Sequence, residues 1–371
     1  MRRRNFASNP RGTLDELRVV EDGGTLVAHA FLFALGGWFG AREVKMGGVA
    51  SVAVAPEARG RGIAAALLLH LHAESLAQGD AITLLYPFRQ GFYARHGYAA
   101  VSPTRRLYLD PRAIPRAWSS APEGSRVRAA NGADRTAIVA LHHRAAARTT
   151  GHMTRPEALW DLRFLEERRQ WMVLERGGDL AGYAAWTATR PEDHAPVTID
   201  VHEIIADDES ARRALLGCLG AQRDQVTEAS LDLDMDDPID RAFVDADAAR
   251  RGTAELEHPL GALVGGPMVR VVETARALCA RGYFQDGALD LAIGGEAAFF
   301  LEVTNGAARV GPARGKKTLS LDRTTLGLIA FGGLRVTDAA RLGWLAADDP
   351  RTLSAADALF ALPPFFAIDS F

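Results

Sequence analysis

The sequence predicts a protein of mixed α+β and α/β class, with two consecutive domains of the same plan followed by a smaller α+β domain. The strand and helix patterns of residues 1–118 recur in the same order in residues 124–265, and a different pattern of short strands and helices occupies residues 266–371. The length of 371 residues also exceeds what one ordinary hydrophobic core supports. Two or three domains are therefore expected.

Composition and charge limit the classes of function. Hydrophobic residues make up 48% of the chain and charged residues 24%, which is typical of a folded protein rather than a disordered one. The net charge of −3 argues against a main partner that is nucleic acid or an anionic membrane surface. The N-terminal residues contain no long apolar stretch, so we expect a cytoplasmic protein. Cys218 and Cys279 are expected to be reduced packing residues, and no spacing of ligands predicts a metal.

The first predicted domain begins with antiparallel strands and continues with alternating strands and helices. Stretches in which apolar and polar residues alternate, bounded by turn residues such as glycine, predict strands. Stretches in which apolar residues recur every three or four positions predict helices. In order, the predicted elements are strands at Leu17–Val20, Leu26–Leu35, Arg42–Met46 and Val49–Ala55, a helix at Ile63–Ala77, a strand at Ile82–Tyr86, a helix at Phe92–His96 and a strand at Arg105–Leu109. The strand–helix–strand unit at residues 49–86 is the centre of this domain.

The second and third predicted domains follow a proline-containing stretch at residues 111–124, which lacks periodicity and predicts a linker. The second domain has a strand from Val127, helices at Asp134–Arg148 and Trp160–Arg168, strands at Trp171–Glu175, Ala181–Thr187 and Val197–Ile205, a helix at Ser210–Arg223 and a strand at Ser230–Asp234. The third has strands at Val269–Val272, Ala288–Ile293, Ala297–Val303 and Ala307–Val310, and helices at Glu273–Arg281, Asp322–Phe331, Thr337–Leu342 and Ser354–Phe360.

The turn between the strand at residues 49–55 and the next helix carries the strongest chemical signal. Its two glycines lack side chains, so backbone N–H groups can converge on an anion at the positive end of the helix. The two arginines add mobile positive charge that pairs well with phosphate oxygens. The sequence therefore predicts a diphosphate site formed by Arg59, Gly60, Arg61, Gly62, Ile63, Ala64 and Ala65.

This turn has two other interpretations. A glycine-rich turn before a helix is by itself a weak signal, because many helices begin in this way. The dinucleotide-binding fingerprint Gly-x-Gly-x-x-Gly fits poorly, since Ala65 stands at its third glycine position and no suitable acidic residue follows a clear next strand.

Three motifs together resemble those of the GNAT acetyltransferases, whose acetyl-CoA loop has the pattern Arg/Gln-x-x-Gly-x-Gly/Ala. Residues 59–64 give Arg-x-x-Gly-x-Ala, Val-x-Val-x-Pro precedes them at residues 52–56, and Phe-Tyr-x-x-x-Gly-Tyr follows at residues 92–98. This resemblance implies acetyl-CoA as co-substrate and no metal. The second domain repeats the plan without this loop, so a degenerate GNAT-like domain is expected there.

The layout of the whole chain resembles the Eis family (enhanced intracellular survival acetyltransferases). Two GNAT-like domains precede a domain resembling the sterol carrier fold, and the chain has Ala-Arg-Gly-Tyr at residues 280–283 and a final phenylalanine. The resemblance implies an N-acetyltransferase of small-molecule amines, including aminoglycosides, that forms a homo-hexamer. From the charge, no nucleic-acid partner and no membrane partner are expected. GNAT domains begin with a strand and two helices that are nearly absent here, so the first domain is expected to be truncated at its start.

By the same resemblance, Tyr93 and Phe371 are the candidate catalytic residues. A phenol, with an ordinary pKa of about 10, can protonate a departing thiolate. The alternative for Tyr93 is a tyrosine packed in a helix, which is the role expected of Tyr98. The α-carboxylate of Phe371, with a pKa of about 3.5, is the candidate base. It would need burial to raise its pKa, a water relay, or an amine that arrives neutral and is only oriented.

Five further residues, in two segments of the sequence, are predicted to contact the cofactor. Val52, Ala53 and Val54 are predicted to hold the pantetheine arm through backbone hydrogen bonds, in the manner of an added strand. The resemblance adds Phe88 and Arg89. The competing hypothesis is a carrier of lipid or another small molecule built on the third domain, in which the first domain only senses coenzyme A and there is no turnover.

Overall fold

The computed structural model describes residues 9–190, 196–246, 260–315 and 317–371. The chain folds into two compact units. Unit 1 comprises residues 1–102, 147–156 and 265–371, and unit 2 comprises residues 103–146 and 157–264. The predicted truncation of the first domain falls at its start, where residues 1–8 lie outside the described part of the chain.

The helices and strands are numbered in chain order. The first half contains β1 (Leu17–Asp22), β2 (Thr25–Phe39), β3 (Arg42–Val54), α1 (Ile63–Gln78), β4 (Ile82–Leu85), α2 (Gln90–Ala94), β5 (Ala99–Ala100), β6 (Thr104–Leu109), β7 (Ser125–Ala129), α3 (Arg135–Ala146), α4 (Glu157–Leu165), β8 (Arg169–Arg176) and β9 (Asp179–Thr189). The second half contains β10 (Val197–Ala206), α5 (Glu209–Gly220), β11 (Val226–Leu233), β12 (Gly261–Val264), β13 (Met268–Val271), α6 (Thr274–Ala280), β14 (Gly287–Ile293), β15 (Phe299–Thr304), β16 (Ala307–Pro312), β17 (Thr318–Leu321), α7 (Arg323–Ala330), α8 (Val336–Arg341), β18 (Leu345–Ala347) and α9 (Pro350–Phe360).

Within the described residues the strands form three sheets. Unit 1 holds a sheet of order β1-β2-β3-β4-β13-β5, in which only β3 and β4 are parallel, and a second sheet of order β16-β15-β14-β17-β18. Unit 2 holds the sheet β12-β6-β11-β10-β9-β8-β7, in which β10 and β11 are the parallel pair. The two larger sheets therefore share the plan of an antiparallel meander that leads into a parallel strand–helix–strand unit.

Two strands pair with strands on the other side of a predicted domain boundary. The predicted boundaries lie after residue 118 and before residue 266. The strand β6, assigned by sequence to the first domain, pairs with β11 and β12 in unit 2. The strand β13, assigned to the third domain, lies between β4 and β5 in unit 1. All four residues of β4 are buried, so this short strand needs hydrogen-bonded neighbours on both edges, and β13 supplies one of them. Periodicity predicts a strand but does not identify its partner.

The predicted linker at residues 111–124 is part of the packed structure of unit 2. It contains two short 3₁₀ turns, Pro111–Ala113 and Arg116–Ser119, and Ile114 is buried in the core against α5. The backbone of Trp118 lies so close to Gly217 that a Cβ at that glycine would fall 2.0 Å from the Trp118 carbonyl oxygen. The prolines of this stretch therefore form packed turns, and the stretch is not a flexible linker.

The first sheet of unit 1 is buried on both faces, which explains the nearly continuous apolar run of β2. Ala28, Ala30 and Leu32 pack with Leu67 and Leu71 of α1 on one face. The alternate residues of β2, Phe31, Phe33 and Leu35, belong to a cluster that continues into the sheet and helices of residues 265–371. The predicted first and third domains therefore share one hydrophobic core.

The described part of the chain contains no helix that combines the length and apolar character needed to cross a lipid bilayer.

The Ala-Arg-Gly-Tyr motif at residues 280–283 has a structural role. Arg281 is fully buried, donates to the carbonyl oxygens of Gly282, Ala330 and Phe360, and lies 4.3 Å from the ring centroid of Tyr283. Burial lowers the pKa of Arg281 to about 10, so its charge persists at neutral pH and is held by carbonyls and an aromatic face. The motif thereby joins the ends of α6, α7 and α9.

Gly282 allows the β2–β3 turn to approach this motif. Its N–H donates to the Phe39 carbonyl at 3.0 Å, and a Cβ at Gly282 would lie 1.8 Å from the Gly40 carbonyl oxygen. Two backbones can approach this closely only where no side chain stands between them. The glycine therefore fixes the sheet of unit 1 to the C-terminal helices.

We expect Gly282→Ala to destabilise the protein by about 1–3 kcal/mol, because the added methyl group forces two backbones apart. The matched control is Gly311→Ala in β16, where a Cβ would meet nothing within 4 Å, and it should change the free energy of unfolding by less than about 0.5 kcal/mol. Urea denaturation of the three proteins measures both values. Equal midpoints for the two variants would contradict this account of Gly282.

Candidate active site

The parallel strands β3 and β4 stop pairing before β3 ends. Part of the edge of β3 is therefore left without a neighbouring strand in the described part of the sheet of unit 1. The two strands pair only from Met46 to Gly48 on β3, whereas β3 continues to Val54. A bulge accompanies the parting: Ser51 and Val52 lie opposite one residue of β2, and Ser51 has a φ of 51° in the left-handed region. Beyond Gly48 the edge of β3 that faces away from β2 has no strand partner in the described residues. An extended ligand can add along this edge by backbone hydrogen bonds.

The predicted strand residues lie on this open segment. Val52 and Val54 are half-buried, and Ala53 is exposed. The backbone of β3 is held on its other edge through the pairs Ala53–His29 and Val54–Ala28. The segment is therefore fixed on one edge and available on the other.

The glycine-rich turn after β3 leaves the start of α1 without a cap. Gly60 and Gly62 both have a φ of 77°, and a Cβ at either position would meet nothing within 4 Å. Glycine is thus required here by backbone conformation and not by packing. No side chain caps α1, and the first bond of the helix runs from the Ala66 N–H to the Gly62 carbonyl. The N–H groups of residues 63–65 consequently face out of the helix end.

A cavity of about 270 Å³ lies in front of these N–H groups. It collects most of the residues that the sequence assigned to the diphosphate site, together with Phe92, and its lining consists of Val54, Ala58, Arg59, Gly60, Gly62, Ile63, Ala64, Ala65 and Phe92. Arg61 lies outside the lining and pairs with Asp22 at 2.8 Å, where both side chains are about half exposed. Such an exposed ion pair is weak, so the guanidinium can turn towards an anion at little cost.

Tyr93 lies in α2 with its side chain almost fully buried. Only 3% of the residue is exposed, and its ring packs edge-on against Phe88, Phe92 and Tyr98 with centroid distances of 5.5, 5.0 and 6.0 Å. Burial raises the pKa of the Tyr93 hydroxyl to about 12. The hydroxyl makes no hydrogen bond within the described residues. It is therefore protonated at neutral pH and available as a donor.

Phe88 and Arg89 do not line the cavity at the glycine-rich turn. Phe88 is 73% exposed and covers the ring of Tyr93, and Arg89 is the exposed residue that precedes the first turn of α2. Phe88 therefore lies next to the candidate acid, and the anion cavity is lined by other residues.

Tyr98 is buried in a hydrogen-bonded group that joins α1 to β4. Its hydroxyl accepts from Thr83 Oγ1 at 3.0 Å and lies 3.2 Å from His72 Nε2. Burial lowers the pKa of His72 to about 3, so the imidazole is neutral and the group carries no net charge at neutral pH. This placement supports a structural role for Tyr98. No sequence pattern marks His72 or Thr83, because neither stands in a motif.

The last residues of the chain lie against the same sheet. The ring of Phe371 packs edge-on against Tyr86 at 5.6 Å, and a Cβ at Gly48 would lie 3.0 Å from Phe371 Cε2. Further back in the tail, the Phe365 N–H donates to the Gly332 carbonyl and the Phe366 N–H to the Thr150 carbonyl. Phe371 is thereby placed at Gly48, where β3 and β4 part.

A buried ion pair accompanies this tail and was missed in the sequence. Asp369 and Arg155 have fully buried side chains that meet at 2.9 Å, and Arg11 Nη2 lies 3.7 Å from Asp369. The only signal in the sequence is a single carboxylate in a tail that is, apart from Ser370, apolar. Its partners are far away along the chain, at positions that no motif marks.

The corresponding helix of unit 2 is closed to anions. The helix α5 follows β10 as α1 follows β3, but its N-cap is Asp208, whose carboxylate accepts from the Ala211 N–H at 2.9 Å and from Ser210 at 2.6 Å. Arg176 and these hydrogen bonds hold the pKa of Asp208 well below its ordinary value, so it is ionised. A negative side chain thus occupies the place that is open in unit 1.

Comparisons with known proteins agree with this architecture. Residues 2–101 and residues 151–271 each match a family described as an acetyltransferase (GNAT) domain, and residues 274–367 match a sterol carrier protein domain. The chain is 27% identical over 332 residues to the N-acetyltransferases Eis of Mycobacterium tuberculosis and Mycobacterium bovis, which covers 85% of this chain and 77% of those relatives.

Solved structures share the fold along nearly the whole chain. A GCN5-related N-acetyltransferase from Anabaena variabilis superposes with a TM-score of 0.84 at 22% identity, over 99% of this chain and 92% of its own. Eis1 from Mycobacterium abscessus superposes with a TM-score of 0.77 at 22% identity, over 96% and 90%. These matches confirm the predicted fold class of two GNAT domains followed by a domain like the sterol carrier proteins.

The open helix end of unit 1, its capped counterpart in unit 2 and the matches along the chain lead to the same conclusion. The chain is an N-acetyltransferase of the GNAT superfamily, whose members use acetyl-CoA as the acetyl donor, and it is similar to the Eis N-acetyltransferases over 85% of its length.

Proposed function

We propose that this enzyme transfers an acetyl group directly from acetyl-CoA to an amine of a small molecule, with Tyr93 as general acid and the α-carboxylate of Phe371 as base. The observation that carries the proposal is the order of features along β3. The anion cavity begins at Val54, the open edge runs back along the strand, and Phe371 packs at Gly48. Six residues of strand span about 20 Å, which suits an extended arm joining a diphosphate to a thioester.

The residues at the helix end fit the diphosphate by charge and by donors. The N–H groups of residues 63–65 and the positive end of α1 favour an anion, and the side chain of Arg59 lines the cavity. The guanidinium group of Arg61 can join it by leaving its exposed ion pair with Asp22. The bound thioester supplies an activated acetyl group. The chain's own part is to hold the arm along β3 and to exclude water from the reacting end.

Tyr93 is suited to protonate the departing sulfur. As the bond between the acetyl carbon and sulfur breaks, the Tyr93 hydroxyl gives its proton to the thiolate. Burial raises the pKa of a thiol, so a thiolate that leaves inside the protein is a stronger proton acceptor than one in water. Burial also raises the pKa of the Tyr93 hydroxyl to about 12, so this hydroxyl carries its proton until the thiolate forms.

Phe371 is suited to accept the proton that the amine loses. An ordinary α-carboxylate, with a pKa of about 3.5, cannot deprotonate an ammonium group efficiently. We therefore assign it to an amine that arrives neutral, which the carboxylate orients and from which it takes the proton directly or through a water as the new bond forms. Solvent then restores the proton to Tyr93 and removes it from Phe371.

Small-molecule amines are the proposed acceptors, with aminoglycosides as the first candidates by resemblance to the family. The competing carrier hypothesis needs a binding space within the third domain. The central strands of its sheet instead pack into the shared core, where Leu289, Leu291, Leu301 and Leu319 are at most 2% exposed. An enzyme is favoured over a carrier because the chain is similar to N-acetyltransferases over 85% of its length.

The substitution Gly62→Ala tests the diphosphate site. A left-handed φ costs alanine about 1 kcal/mol relative to glycine, so the turn should relax and coenzyme A should bind about fivefold more weakly. Gly79→Ala is the matched control, because Gly79 ends the same helix with a φ of 82° and equally open space. Calorimetric titration with coenzyme A measures both dissociation constants. Equal weakening by the two variants would contradict binding at the start of α1.

The substitution Tyr93→Phe tests the general acid. Removal of the hydroxyl should lower kcat by about 100-fold while the dissociation constant of acetyl-CoA changes little, because the ring and its packing remain. Tyr108→Phe, at an exposed tyrosine of unit 2, should leave kcat unchanged. Stopped-flow release of the coenzyme A thiol provides the rate. An unchanged kcat in Tyr93→Phe would remove the hydroxyl from the mechanism.

A chemical change at the last residue tests the base. An intein thioester at Phe371, cleaved by hydrolysis or by ammonia, gives the same protein with a terminal carboxylate or a carboxamide of the same shape. The carboxamide should lower kcat by about 100-fold, because it cannot accept a proton near neutral pH. Circular dichroism and coenzyme A titration verify that fold and donor binding are preserved. A carboxamide form with full activity would exclude the carboxylate as base.

A further inference from the structure

The last three residues of the chain are held by a set of buried polar contacts. Arg155 Nε donates to the two carboxylate oxygens of Asp369 at 2.9 and 3.2 Å, and Arg11 Nη2 lies 3.7 Å from the same group. The side chains of Asp369 and Arg155 are fully buried, and that of Arg11 is 3% exposed. On the backbone, the Tyr86 hydroxyl donates to the Asp369 carbonyl at 2.8 Å and Arg11 Nε to the Ser370 carbonyl at 2.9 Å.

Arg155 is itself fixed to the sheet that carries the site. It belongs to residues 147–156, a segment of unit 1 that lies between two parts of unit 2 in the sequence. This segment pairs with β2, since the Trp38 N–H donates to the His152 carbonyl and the Thr154 N–H to the Gly36 carbonyl, both at 2.9 Å. The ion pair therefore ties the tail to a rigid strand.

We propose that Asp369 is a positioning residue for acetyl transfer. Its ion pair with Arg155, supported by Arg11, fixes the Phe371 carboxylate at the reacting end of β3 and balances part of the positive charge of both guanidinium groups. The proposal rests on the role of Phe371 proposed above.

The charges explain why a carboxylate is needed at this position. Two guanidinium groups converge on Asp369 in a region closed to solvent, where a positive charge strongly favours a negative partner. Without the Asp369 charge, the Phe371 carboxylate two residues further along the same tail can take its place. That pairing would turn the base away from the acceptor and lower its basicity.

The first test measures docking of the tail and needs no acceptor. The full chain is incubated with carboxypeptidase Y, and release of phenylalanine from residue 371 is followed by chromatography. In Asp369→Asn this release should be faster by about tenfold or more, because a charged hydrogen-bonded pair is lost. Asp134→Asn, which removes a carboxylate paired with Arg128 in unit 2, should leave the rate unchanged. Equal release from Asp369→Asn and the unchanged protein would overturn the proposal.

The second test crosses Asp369→Asn with the carboxylate and carboxamide forms of Phe371, using kanamycin and spermidine as acceptors. In the carboxylate form, Asp369→Asn should lower kcat by about tenfold and leave the dissociation constant of acetyl-CoA unchanged. In the carboxamide form the same substitution should have less than about a twofold effect, because the two residues act as one unit. An equal loss in both forms would show a merely structural role and overturn the proposal.

The two tests separate this proposal from the one on which it rests. If the carboxamide alone keeps full activity, the assignment of Phe371 as base fails, while the release rate still decides whether Asp369 docks the tail. If Asp369→Asn does not fold, Arg155→Lys replaces it, because this keeps the positive charge but removes the Nε that donates to both carboxylate oxygens of Asp369. Release should then be faster by about threefold, the value of one hydrogen bond. No change in that variant would overturn the proposal.

Discussion

The parting of β3 from β4 after Gly48 is the constraint on which the rest of the active site depends. A parallel pair that continued to Val54 would satisfy the backbone of β3 internally and leave no edge for a ligand. The bulge at Ser51 turns the strand away, and the left-handed φ of that residue is sustained by the pairing of β3 with β2 on the other edge. The open edge, the helix end beyond it and the docking place of Phe371 all follow from this divergence.

The two larger sheets show that topology alone does not make a binding site. Both have a parallel strand–helix–strand unit, yet α1 begins after glycines at positive φ, whereas α5 begins with the ionised carboxylate of Asp208. A helix N-terminus attracts an anion only while its N–H groups are free. In unit 2 the carboxylate of Asp208 accepts from the Ala211 N–H and places a negative charge at the helix end, which stabilises the fold and repels a diphosphate. The difference between a cofactor site and a structural helix is thus a few residues of one turn.

The parts of the site that the sequence predicted are those encoded by local patterns. The glycine-rich turn, the helix from Ile63 and the position of Tyr93 in α2 depend on residues close together in the chain, and the structure places the turn and helix start in one cavity. The partners of β6 and β13 and the ion pair of Arg155 with Asp369 depend on residues distant in sequence. Periodicity reports burial and conformation, and it contains no information on which distant element supplies the contact. The predicted domain boundaries fail at β6 and β13 for the same reason, because the pattern within a strand does not identify the strand that pairs with it.

The energetics of the buried pair argue for a positional role. Removing two charges from water costs several kcal/mol for each ion, and attraction between them often does no more than offset that cost. An apolar residue at position 369 would suit the surrounding tail, in which Phe365 is buried and Ala367 and Ile368 are partly so. Apolar packing, however, tolerates several orientations of the last residues, whereas a carboxylate that receives directed hydrogen bonds accepts few. The pair therefore contributes geometry more than stability, and geometry is what a base at the end of a chain lacks.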